Sequence, residues 1–74
     1  MSGADTVIDG RDMEPPEPFV RTMQALAASG PGERVLLRLM REPFPLYEAL
    51  AAQGVTWRTG RNADGVVEVL MWRA

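Results

Sequence analysis

The 74-residue chain predicts an α/β fold of the α+β two-layer kind, with a mixed four-stranded sheet carrying two helices on one face. Three observations predict it. Segments of period two alternate with segments of helical period in the order β-α-β-α-β-β. Proline opens each helical segment and glycine closes it. An Asn-Ala-Asp-Gly turn joins the last two strands and makes them antiparallel. Short crossovers through helices make the earlier strands parallel, and right-handed crossovers place both helices on the same face.

Residues 1–4 are small and polar and read as a frayed tail, leaving 5–74 as a single domain. Thr6-Val7-Ile8 is β-prone and forms the first strand, and Asp9-Gly10-Arg11-Asp12 turns out of it. The block Glu14-Pro15-Pro16-Glu17-Pro18 starts a helix running from about Pro16 to Ala28, since proline is tolerated where the first amides have no intrahelical partner. Phe19, Met23 and Leu26 mark its inner face, with Val20 and Ala27 beside them; Arg21, Thr22 and Gln24 fall toward solvent. Ser29-Gly30-Pro31-Gly32 stops it, with Gly30 as the residue just past the helix end.

Arg34 to Met40 alternates as a strand, with Val35, Leu37 and Leu39 on one face and Leu36, Arg38 and Met40 on the other. Glu42-Pro43-Phe44-Pro45 opens the second helix. Leu46, Ala49, Leu50 and Gln53 make its inner stripe, and Gly54 ends it. Val55 to Thr59 is the third strand and Val66 to Arg73 the fourth.

Composition excludes more than it assigns. The chain has no Cys and no His, which removes disulfides, thiolate chemistry, the commonest general base and the commonest metal ligand. All positive charge is Arg, so Schiff-base chemistry is excluded as well. Asp9, Asp12, Glu14 and Glu17 lie close in sequence, but their spacing is not that of a calcium loop. We expect no enzyme, no metal and no cofactor. A net charge of -2 argues against a nucleic-acid partner, which needs a basic face. Neither a signal-peptide pattern nor an apolar run of ~20 residues is present, so a cytoplasmic protein with no membrane partner is expected.

Ile8-Asp9-Gly10-Arg11 leading into Pro15-Pro16-Glu17-Pro18, then Pro31-Gly32-Glu33 before the second strand, resembles the TusA/SirA-like sulfur-carrier fold family over nearly the whole chain. In those carriers a Cys-Pro-x-Pro loop precedes the first helix; here Pro15 stands in the place of the cysteine. The chain looks most like a Cys-less branch, an uncharacterised bacterial family with a Pro-Pro-Glu-Pro loop and an Arg41-Glu42-Pro43 pattern before the second helix. Asp12 replaces a usual glycine, and Asp tolerates a left-handed backbone better than most residues. A persulfide carrier needs a thiolate, so the resemblance implies the fold without the sulfur chemistry. It also implies partners in sulfur, metal or nitrogen-oxide metabolism, and a docking loop inherited from the carriers.

Two surfaces follow as candidates for binding another protein. The first is the rigid loop of Arg11, Glu14, Pro15, Pro16, Glu17 and Pro18; rigid loops lose little entropy on association. The second is the uncovered sheet face. Strand parity assigns it Leu36, Met40, Val66, Leu70 and Trp72, with Arg38, Arg58 and Glu68 among them. Contiguous exposed apolar groups mark contacts, and Trp and Arg are enriched in binding hot spots. The face fits a hetero-partner or a homodimer. A small-ligand or anion sensor that uses its arginines is the alternative, and an RNA-binding module is the third reading.

Overall fold

The computed structural model describes residues 4–74; residues 1–3 of the expected tail lie outside the described residues. The elements are β1 (Thr6–Asp9), α1 (Glu17–Ala28), β2 (Arg34–Leu39), α2 (Phe44–Ala52), β3 (Val55–Arg61) and β4 (Val67–Arg73). The strands lie in the order β1-β2-β4-β3. β1 and β2 are parallel, while β4 runs antiparallel to β2 on one side and β3 on the other. The expected α+β sandwich, its mixed sheet and both helices are all present.

Sheet parity follows the sequence. Val35 lies opposite Met71, Leu37 opposite Val69 and Leu39 opposite Val67, and this set meets Leu26 of α1 and Leu46 and Leu50 of α2 in one core. α1 packs against β1 and β2, and α2 against β3. Apolar side chains at every second strand position and at helical spacing thus close on each other, and their removal from water drives the packing.

The phase of α1 departs from the expectation. Thr22 and Leu26 are its fully buried residues, whereas Phe19, Val20 and Ala27 are exposed. The ring of Pro18 sits close to the end of β1 and to β2 at the start of the helix. Gly10 is buried there, and a Cβ on it would come 3.2 Å from Pro18 Cβ and 2.8 Å from Leu39 Cδ2. Leu26 and Met23 pack on the core as expected, so the departure is confined to Phe19, Val20 and Ala27, which stay outside, and Thr22, which does not. Gln53 is exposed at the end of α2 instead of completing its inner stripe.

Three turns differ in chemistry from one another. Gly30 is not the left-handed residue after α1; Ser29 is extended, its hydroxyl donates to the Ala25 carbonyl at 2.7 Å, and the positive φ falls on Gly32 instead. Pro31-Gly32 then forms a turn closed by Glu33 N–H to the Gly30 carbonyl at 3.1 Å, with glycine where φ must be positive. Asp12 is not left-handed either, since no non-glycine residue described has positive φ; Met13 N–H to the Gly10 carbonyl closes that turn at 3.2 Å. The β3–β4 turn is organised by Asn62, whose side-chain carbonyl accepts from Asp64 and Val66.

Candidate functional site

β1 and β2 are parallel neighbours, so the loops that leave their C-terminal ends emerge side by side. Each loop enters a helix through proline: Pro16 precedes α1 and Pro18 lies in its first turn, while Pro43 precedes α2 and Pro45 lies in its first turn. The Pro15–Pro16 peptide is cis. An apolar groove of about 650 Å³ opens between these two helix starts, with Leu37 and Leu39 of β2 as its floor. Met13, Pro15, Pro16, Pro18 and Phe19 form one wall. Met40, Pro43, Pro45 and Leu46 form the other, with Arg11, Arg41 and Glu42 at the rim.

Three large side chains remain open to water at this end of the molecule: Phe44 at 65 %, Met40 at 55 % and Phe19 at 39 %. Prolines and a strand floor make the walls stiff, so little conformational freedom would be lost on filling the groove. Beside it, Tyr47 stacks on Trp57 with ring centres 5.3 Å apart and meets the Phe44 ring edge-on at 6.0 Å. The Tyr47 hydroxyl donates to Glu42 at 3.1 Å and accepts from the Thr59 hydroxyl at 2.6 Å. Burial raises the Tyr47 pKa, which keeps that proton in place.

The loop's charges do not act together. Arg11 clamps Asp9 through Nε at 2.8 Å and Nη2 at 2.6 Å. This hydrogen bonding lowers the Asp9 carboxyl to about 2 and raises Arg11. Glu17 pairs with Arg21 at 3.0 Å on the outside of α1, and Glu14 is exposed and does not line the groove. Among the described residues no group of three or more carboxylates could hold a metal ion. The loop candidates thus divide: Arg11, Pro15, Pro16 and Pro18 border the groove, and Glu14 and Glu17 do not.

The uncovered sheet face is ordered in rows across the strands. Val7, Leu36, Leu70 and Arg58 make one row; Asp9, Arg38, Glu68 and Gly60 make the next; Arg34, Trp72 and Thr56 make a third. Two members expected to be open on this face are covered. Leu36 is 7 % exposed and Val66 is 5 % exposed; Leu36 sits on an inner strand of the sheet, between Val7 and Leu70. Arg38 binds Glu68 at 3.1 Å, and Arg34 lies over the Trp72 ring at 5.3 Å, a cation–π arrangement. Met40 is not on this face at all: β2 ends at Leu39, and Met40 turns into the groove. A shallow depression remains between Leu36, Arg38, Arg58 and Leu70, but its arginines do not converge, since Arg38 is taken up by Glu68.

Sequence reasoning missed Met13, Phe19, Arg41, Pro43 and Pro45 as parts of one site. The available signal was the pair of proline-punctuated helix starts following two parallel strands, which the topology must bring together. Residues 7–73 match the family described as "Uncharacterized conserved protein (DUF2249)". The fold is similar to the crystal structure of a SirA-like protein from Desulfitobacterium hafniense, with a TM-score of 0.80 and 23% identity over 90% of this chain and 95% of that one. At that identity the likeness establishes the fold. No match to a curated protein was found.

Proposed function

The chain belongs to the DUF2249 family, and on that premise we propose that it is a non-catalytic interaction module of SirA/TusA-like fold that docks on another protein through the apolar groove between its helix starts. The observation that carries this reading is the groove itself. Its walls are apolar and stiff, it opens at the end of the molecule where Phe19, Met40 and Phe44 remain exposed, and apolar surface gathered in this way gains most by being covered.

The non-catalytic part of the proposal rests on the chemistry of the side chains. Neither Cys nor His occurs in the chain. The carboxyl with the strongest shift, Asp9, is lowered by its Arg11 partner, the opposite of what a general acid requires. Pro15 at the place of a carrier's cysteine supplies no sulfur, so the module belongs to a Cys-less branch that binds where relatives would transfer. The resemblance to sulfur carriers makes a cytoplasmic enzyme or accessory protein of sulfur, metal or nitrogen-oxide metabolism the partner to seek.

The test is a quantitative capture of partners from native lysate with wild type, Met40→Asp and Trp72→Ala. Met40 is exposed, so a carboxylate there charges the groove without opening the core. A partner held by wild type and Trp72→Ala and lost with Met40→Asp supports the groove. Loss with Trp72→Ala alone moves the site to the sheet face, and equal capture by all three rejects both surfaces.

A further inference from the structure

β3 is the terminal strand of the sheet. Its outer edge carries unclaimed main-chain groups that the register identifies. Asn62 N–H donates to the Val66 carbonyl, and Asn62 follows Arg61, which lies opposite Val67. In an antiparallel ladder, hydrogen-bonded and non-hydrogen-bonded positions alternate. The main-chain groups of Thr56, Arg58 and Gly60 therefore turn toward β4. Those of Val55, Trp57, Thr59 and Arg61 turn away from it, to the free edge.

Among the described residues no main-chain hydrogen bond reaches the outward groups of this edge. Of the residues whose main-chain groups face it, Thr59 and Arg61 are exposed, Trp57 is half-buried and Val55 is buried, so the edge is most open over Trp57 to Arg61. The strand is 7 residues long and contains no proline, so two usual protections of an edge are missing. The third, charge, is present in one sign only. β3 contains Arg58 and Arg61 and no carboxylate. Arg58 has no partner among the described residues, and Arg61 reaches only the Gly65 carbonyl at 3.3 Å.

We propose that the free edge of β3 pairs with an extended acidic segment of another protein, carrying two carboxylates three residues apart, as a fifth strand of the sheet. Residues three apart in a strand point to opposite faces, as Arg58 and Arg61 do, so each arginine meets one carboxylate across the new ladder. Main-chain hydrogen bonds supply the attachment and the arginines select the sign. The same arginines exclude the alternatives. A second β3 would bring two more arginines and no carboxylate to the new pair of strands, so like charge opposes it. The β1 edge of a second copy offers Asp5 and Asp9, which lie an even number of positions apart and share one face, so it could serve only one arginine. The acidic strand is a second contact for an interaction module, and its occupation requires nothing of the groove.

The test uses ¹⁵N-labelled protein and a capped Thr/Val peptide the length of β3 with two glutamates three residues apart. Saturable binding is expected. Hydrogen exchange should slow at the Trp57, Thr59 and Arg61 amides, which face the edge, and stay unchanged at Thr56, Arg58 and Gly60, which already face β4. The same peptide with lysine for glutamate should bind at least about fivefold more weakly, and Arg58→Glu/Arg61→Glu protein should reverse that preference. N-methylation of the peptide's protein-facing amides should abolish binding. Absence of binding, equal binding of both peptides, or exchange protection elsewhere would overturn the proposal, as would self-association through β3 without peptide. Met40→Asp protein should bind the peptide as wild type does, so failure at the groove and failure at the edge are told apart.

Discussion

At the scale of single residues, two positions around the proline loop carry measurable consequences. Asp9 is held ionised by Arg11, with its carboxyl lowered from 3.8 to about 2. A folded-state pKa below the unfolded value contributes stability that is present above the unfolded pKa and is lost as pH falls through the folded one. Acid unfolding should therefore draw on Asp9 between pH 3.8 and about 2, and Asp9→Asn should flatten the stability profile in that window. In Arg11→Met protein, the Asp9 carboxyl followed by ¹³C NMR should titrate near its ordinary value; a titration still near 2 would show that Arg11 is not the cause.

Gly10 is the second position. An added methyl meets the Arg38 carbonyl and Pro18 Cβ at 3.2 Å as well as the Leu39 side chain. The leucine can swing aside; the carbonyl and the proline ring cannot. Gly10→Ala should cost about 1–3 kcal/mol in urea unfolding, the range for overpacking. A variant as stable as wild type would show that the α1 start is not held by this approach.

At the scale of elements, strand alternation, the proline-marked helix starts and the inner stripe of α2 at Leu46, Ala49 and Leu50 were legible, whereas the rotation of α1 was legible only in part. β2 and β4 could be read with their faces assigned, because period two leaves only two choices. The face of Val35, Leu37 and Leu39 in β2, and that of Val67, Val69 and Met71 in β4, is an apolar run, while the other is interrupted by a charge, Arg38 in β2 and Glu68 in β4. The inward face of α1 was read rightly at Met23 and Leu26 and misread at Phe19, where hydrophobic size was used as the guide. Thr22 is buried and Phe19 is exposed, an outcome that depends on how the helix start docks on the sheet and so on β2 as well as on α1 itself. Leu36 was misread for a related reason: it lies on an inner strand, flanked by Val7 and Leu70, and those neighbours exist only after the strands pair.

The buried Thr22 hydroxyl has no hydrogen-bond partner among the described residues. Burying such a group unpaired is costly, and replacing it by a methyl of the same shape removes the cost. Thr22→Val should raise stability by about 1 kcal/mol in chemical denaturation. A clear loss would mean that the hydroxyl is satisfied in solution.

At the scale of the whole molecule, charge is divided between the two parts of the chain. Residues 1–33 hold six carboxylates and two arginines, and residues 34–74 hold six arginines and four carboxylates. The β3 edge is basic, and the turn and loop after β1 are acidic. Such a division orients an approaching partner, and like-signed β3 edges oppose a symmetric dimer through them. Equilibrium sedimentation at physiological salt should therefore give the mass of one chain; a stable dimer would transfer the interaction reading from a hetero-partner to a second copy. No described helix is long and apolar enough to cross a membrane.

The site was half legible at this scale too. Pro15, Pro16 and Pro18 could be singled out as a rigid loop, but the other wall, from Met40 to Leu46, became visible only once β1 and β2 were seen to be adjacent and parallel. The central claim is that this two-walled groove is where a partner binds. The measurement that tests it most directly is the dissociation constant of the captured partner for wild-type and Met40→Asp protein, with unfolding followed in parallel. The account predicts at least about a tenfold weakening, the scale of a central contact residue, with the unfolding midpoint unchanged. Equal affinity in the two proteins would contradict it.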